Sequence, residues 1–276
     1  MKVGMGTRTL MDYNLEATIK IAHKIGYEGV VIFGVPKHLP HPLAYFRSVP
    51  QGFMRRVMDV NELKKLCDDL GIEIITLNTY IGGYQMLGDR ECEKQVQASK
   101  DYVEMAYKLE CSNIRENLWG TSWRDAREDH WLRAVYYLQK VADYAEDYGV
   151  NIIFQHHNGL EGTVDSSLKL LKMVDRPNVR IHYSPANMIS EGPENIGPNA
   201  VRKLGKHIVN VVVKDRGLLG ANTNVINYLS IVKTLKEIGY DGFLTQECHV
   251  EPDEDISAPQ IVENEYRGIK KLIESV

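Results

Sequence analysis

Glu247 closes a run with no other charge, Phe243-Leu244-Thr245-Gln246. A carboxylate in that setting carries a desolvation cost that only a partner or a function offsets. Similar apolar stretches run into Gln155-His156-His157-Asn158, into His182 with Ser184 and Asn187, and into Lys214-Asp215-Arg216. A carboxylate base, imidazoles that polarise a carbonyl and cations that hold an oxyanion are the parts proton abstraction beside a carbonyl requires. Glu247 would be the base and His157, His182 and Lys214 its catalytic partners. Arg8, Asn78 with Tyr80, Glu116 with Asn117, and His249 occupy equivalent places. With Gln155, Ser184, Asn187 and Arg216 they would bind the hydroxyls of a small polar ligand. Neighbours alternate along a strand, so only one of His156 and His157 can face such a site, and His157 is the candidate.

The elements that would bring these residues together form a recurring unit of amphipathic helix, Gly and β-branched strand. It reads Lys24-Ile25-Gly26-Tyr27-Glu28-Gly29-Val30-Val31 near the start and Glu237-Ile238-Gly239-Tyr240-Asp241-Gly242-Phe243 near the end, with further copies around Gly71 and Gly149. Each Gly suits a left-handed helix cap that releases the chain into a strand. Strands are expected at Lys2–Gly6, Gly29–Phe33, Ile72–Asn78, Ser112–Glu116, Val150–His156, Val179–Tyr183, Ile208–Lys214 and Gly242–Glu247. Helices are expected near 15–25, 60–70, 90–109, 125–148, 165–174, 199–205, 226–238 and 259–274, with N-caps at Asn14, Asp59 and Asp165-Ser166-Ser167. This α/β alternation predicts a (β/α)8 TIM barrel formed by residues 1–276 as one domain, with the polar residues at the strand C-terminal ends. The doubly wound alternative lacks a GxGxxG after its first strand. Two long Pro-containing connections leave the same pole, 35–58 with His38 and His41, and 184–198.

Composition narrows the function classes. Hydrophobic residues at 43% and charged residues at 25% exclude a disordered or fibrous chain, and a net charge of −4 argues against nucleic-acid or anionic-membrane partners. The four cysteines, Cys67, Cys92, Cys111 and Cys248, form no CxxC pair, and no apolar run approaches a membrane span. The expectation is a cytoplasmic protein.

The segments Ile25-Gly26-Tyr27-Glu28-Gly29-Val30, Gln155-His156-His157-Asn158-Gly159, Ser184-Pro185-Ala186-Asn187, Val212-Val213-Lys214-Asp215-Arg216 and Gly242-Phe243-Leu244-Thr245-Gln246-Glu247 resemble, in that order, the xylose isomerase-like barrel superfamily. That group includes sugar phosphate isomerases/epimerases and ketose 3-epimerases. The resemblance implies isomerase or epimerase chemistry on a small carbohydrate, through an enediolate. It also implies homo-oligomers and a divalent ion held by a Glu, an Asp, a His and a second Glu. Those positions carry Gln155, Ser184, Val212 and Glu247 here, and a further Glu of many members falls at Val31. The ligand set for Mn, Mg or Zn is therefore incomplete, and a displaced site of His157, His182 and Glu247 is the remaining metal candidate.

Three other readings stay open: a lyase or dehydratase on a keto-sugar or keto-glycoside, a non-catalytic sugar-binding subunit, and a Schiff-base aldolase using Lys214. Trp119 and Trp123, just past the fourth strand, suit either a sugar face or a subunit contact.

Overall fold

The computed structural model describes residues 1–39, 58–214, 226–247 and 256–276. Eight parallel strands close in sequence order into a barrel: β1 (Lys2–Gly6), β2 (Gly29–Phe33), β3 (Glu73–Gly82), β4 (Asn113–Asn117), β5 (Asn151–Gln155), β6 (Val179–Tyr183), β7 (Ile208–Val213) and β8 (Phe243–Gln246). The helices α1 (Leu15–Ile25), α2 (Val60–Leu70), α3 (Asp89–Lys108), α4 (Glu128–Glu146), α5 (Val164–Val174), α6 (Pro198–Leu204), α7 (Tyr228–Glu237) and α8 (Ala258–Glu274) alternate with them. This is the expected (β/α)8 barrel. No helix among the described residues is long and apolar enough to cross a membrane.

Local signals in the chain explain the helix ends. Asn14 caps α1 by accepting the Ala17 amide at 2.8 Å, and Asp59 caps α2 in a reciprocal box with Glu62. Gly26 ends α1 with φ +110, and its amide returns to the Ala22 and His23 carbonyls. An L side chain there would be strained, which is why the helix–Gly–strand unit recurs. For α5 the cap is Thr163, just ahead of the expected Asp165-Ser166-Ser167, because the Thr163 side chain accepts from Ser166 while Ser166 returns the bond. Helix α4 starts at Glu128, later than 125.

The strands match their expected positions to within a residue at each end except β3, which runs to Gly82 rather than stopping at Asn78. Its pairing to β4 is regular at Asn78↔Arg115 and then shifts before Gly82↔Asn117. In that irregular stretch Tyr80 has φ +58, a left-handed conformation seldom adopted by a bulky side chain. The extension carries Tyr80 over the pole where the site lies.

The core has two parts. A large one fills the space between helices and strands, from Val3, Leu10 and Ile19 to Val262 and Ile269. A smaller, separate cluster of Val31, Phe33, Val35, Ile75 and Phe243, with Tyr80 packed on it, lies inside the barrel. Gly6 keeps the lumen closed on the β1 side: a Cβ there would come within 2.8 Å of the Gln246 carbonyl and 3.3 Å of the Phe33 ring.

Candidate active site

Residues paired in register on parallel strands point the same way, so the Phe33 lumen face can be followed around the barrel. Phe33 pairs with Asn78, Asn78 with Arg115, and Arg115 with Ile153. Two residues on, Gln155 pairs with His182, His182 with Asn210, and Asn210 with Phe243. Lys214 and Glu247 lie two residues beyond the Val212↔Thr245 pair on the same face.

These residues form one network. Gln155 Oε1 accepts from the Arg115 guanidinium, and Gln155 Nε2 donates to Glu247 Oε2 at 3.1 Å. Lys214 Nζ stands 3.7 Å from Glu247 Oε1. Arg115 Nη2 also donates to Asn117 at 3.2 Å, and its guanidinium carbon lies 5.7 Å from the centres of both the Phe33 and Tyr80 rings. Arg8, at the exposed rim, donates to the Tyr80 hydroxyl at 3.2 Å. Tyr228 of α7 fixes the Lys214 backbone from both sides: its hydroxyl accepts the Lys214 amide at 3.0 Å and donates to the Lys214 carbonyl at 2.7 Å.

Electrostatics follow from burial. Lys214 is held below the usual lysine range, mainly by desolvation, with Glu247 opposing that shift and Arg115 adding to it. Burial lowers His157 to about 4 and His182 to about 3, so both rings are neutral at pH 7. The Asn210 amide donates to His182 Nε2 at 2.9 Å while its oxygen accepts from Thr245 at 2.8 Å. That arrangement puts the ring proton of His182 on Nδ1, a buried donor with no partner among the described residues. His157 Nδ1 lies 3.0 Å from the Gln155 carbonyl, an acceptor, so His157 carries its proton there and presents a bare Nε2.

Glu247, Gln155 and Lys214 thus meet directly, with His157 and His182 beside them and Arg8 at the rim. Asn78 pairs with Arg115, and among the described residues neither end of its amide is bonded; Ser184 Oγ is likewise buried without a partner among them. Asn187 is spent on the His156 carbonyl, to which it donates at 2.7 Å. Glu116 lies elsewhere. It sits on the outward face of β4, accepting from Tyr84 at 3.1 Å and from Ser99 of α3, and burial raises it to about 7. Arg216 and His249 lie outside the described residues, as do Asp215 and His41. His38 is buried against Thr7 at 3.0 Å and Thr18 at 3.3 Å, away from the network. Trp123 donates to Glu191 at 3.1 Å, which also pairs with Arg124 at 2.7 Å, so this indole ties two loops together.

Three residues were not singled out in the sequence. Arg115 and Asn210 face the lumen, and strand alternation could have indicated both: Arg115 stands one residue before Glu116, and Asn210 two before Val212. Glu161, in the loop after β5, is a buried carboxyl that desolvation raises to about 8, so it is mostly protonated at neutrality.

The donor set does not fit the divalent ion that the resemblance implies. Gln155 has both ends of its amide engaged by Arg115 and Glu247, and Val212 offers no donor. His182 Nε2 is taken by Asn210 and His157 Nδ1 by a carbonyl, and among the described residues no three His, Cys, Asp or Glu side chains are placed to hold a metal ion. A guanidinium and an ammonium flank Glu247 instead.

An L-ribulose 3-epimerase of Methylomonas sp. is 31% identical over 128 residues, which is 44% of this chain and 43% of that protein. An uncharacterized protein of Methanocaldococcus jannaschii is 23% identical over 58% of this chain and 59% of its own length. The chain thus spans three fifths or less of the curated relatives it matches. A solved structure of L-ribulose 3-epimerase superposes with a TM-score of 0.81 at 17% identity, covering 99% of this chain and 95% of that one. With the closed barrel in place and the xylose isomerase-like TIM barrel pattern matched over residues 19–272, this chain belongs to that family.

Proposed function

We propose that the protein is an enzyme of small carbohydrates that removes a proton beside a carbonyl, with Glu247 as the base. The observation that carries this reading is the position of Glu247: a lumen carboxylate at the strand C-terminal pole, oriented by Gln155 and set 3.7 Å from Lys214. Lys214 stabilises the negative charge that develops on the carbonyl oxygen as the proton leaves. His182 Nδ1–H is a further neutral donor, and His157 Nε2 accepts from a substrate hydroxyl. The relative named as an L-ribulose 3-epimerase supports the same substrate class.

A lyase step on a keto-sugar is the second reading. It begins with the same abstraction and needs one base, whereas Gln155, opposite Glu247, cannot exchange a proton. Solvent deuterium exchange into ketoses and keto-glycosides tests the common step. Label should enter at a carbon beside the carbonyl, and Glu247→Gln should slow its entry by about a hundredfold or more. Exchange that is absent from every sugar, or undiminished in the variant, overturns the assignment; release of a leaving group separates lyase from epimerase.

A further inference from the structure

Arg115 is a guanidinium 2% exposed inside a barrel, and no carboxylate among the described residues hydrogen-bonds it. Its two bonded partners, Gln155 and Asn117, are neutral amides, and its Nε has no acceptor among the described residues. Glu247 attracts the guanidinium only across the Gln155 amide, and a buried cation with no anion bonded to it is expensive; a fold that needed only packing there would carry an apolar side chain. The surroundings do not balance it. Arg8, Arg115 and Lys214 face a single carboxylate, Glu247, among the described residues of the network, and Glu161, the other carboxyl that acts on the guanidinium, is mostly protonated. The lumen face beside Arg115 also holds other unmatched polar groups, Asn78 and Thr76. Asn117 and Tyr80, which border the guanidinium, are only half-buried.

We infer that Arg115 is the resident cation of this site and binds a fixed negative charge on the ligand, a carboxylate or phosphate oxyanion carried by the sugar, without a divalent ion. Three of its five N–H groups remain for that purpose, in a planar fork suited to two oxygens of one oxyanion. Gln155 then acts twice, joining the anion-binding guanidinium to the Glu247 carboxylate and fixing the distance between anchor and base. This assignment concerns binding and stands whether or not Glu247 is the base.

The test is calorimetric titration of chelator-treated protein with matched ligands: a neutral ketohexose, its 6-phosphate, the corresponding keto-sugar acid and inorganic phosphate. At least one anionic sugar should bind tenfold or more tighter than the neutral one, with no change on adding Mn²⁺. The phosphate and acid arms identify which oxyanion is read. Arg115→Met should remove the preference. Arg115→Lys, which keeps the charge but loses the fork, should weaken the anionic ligand about tenfold more than the neutral one; it carries the test if the Met variant does not fold. Equal affinities for neutral and anionic sugars, a preference that survives in either variant at full size, or a requirement for Mn²⁺ would each overturn the inference. Deuterium exchange is read separately, so failure of the base assignment leaves this result interpretable.

Discussion

Glu116 offers a measurement in which the structure fixes both sign and size. Its carboxyl is fully buried behind β4, bonded by Tyr84 and Ser99, and its pKa is raised from 4.5 to about 7 by desolvation. The folded protein therefore holds this proton more tightly than the unfolded chain does. Stability from this group is full below pH 4.5 and declines as pH rises towards 7, where the buried carboxyl finally ionises. With an unfolded value of 4.5 and a folded value of about 7, linkage gives a loss of about 2.5 kcal/mol between pH 5 and pH 8 from this residue alone. Glu116→Gln keeps an acceptor for Tyr84 and Ser99 and cannot ionise. Urea denaturation at pH 5 and pH 8 should show the wild type losing about 2.5 kcal/mol more than the variant across that interval, with unchanged ligand affinity because Glu116 faces away from the lumen. Identical pH dependence in the two proteins would refute the burial argument, and a loss of ligand affinity would refute the outward placement.

The site histidines behave oppositely. Their folded values, about 4 for His157 and about 3 for His182, lie below the ordinary 6.5, so the unfolded chain binds their protons first and the stability they contribute is lost as pH falls from 6.5 towards 3. NMR titration should show both rings neutral throughout pH 5.5–8, and a midpoint near 6.5 for either would contradict their burial. Tyr228→Phe removes two hydrogen bonds to the Lys214 backbone. It should cost about 1–3 kcal/mol in denaturation and reduce the rate of deuterium exchange more than the affinity for sugar. An unaltered rate would show that Lys214 does not depend on that clamp.

The fold was legible because its punctuation is local. Gly26, Gly71 and the caps Asn14 and Asp59 act within one turn of their own helices, so short stretches of sequence announce them. The site was legible where a strand ends on one unmistakable polar group, as β8 does before Glu247. It was not legible on β4, where Arg115-Glu116-Asn117 puts polar residues on both faces. Which of them faces inward is set by register against β3, and that register shifts between Asn78 and Gly82. Such parity is a property of two strands together. The metal question turned the same way: Gln155 in place of a carboxylate suggested an incomplete ligand set, but only the fold shows that Arg115, forty residues earlier in the chain, occupies its amide.

The order of pairing in the barrel has a consequence in time. Strand β1 finds one neighbour early, through the Gly4↔Gly29 ladder with β2, but its other edge pairs with β8 from Lys2↔Phe243 onward, and Tyr27 waits for the Val262 carbonyl of α8. Until the last strand is made, β1 exposes an open ladder edge and the ring cannot close. Closing so long a loop forfeits entropy that no local contact returns in advance, so final assembly should be slow and late. Arg8 beyond β1, Arg115 on β4, Gln155 on β5 and Glu247 beyond β8 come from strands all round the ring, so the complete network exists only once the barrel is closed.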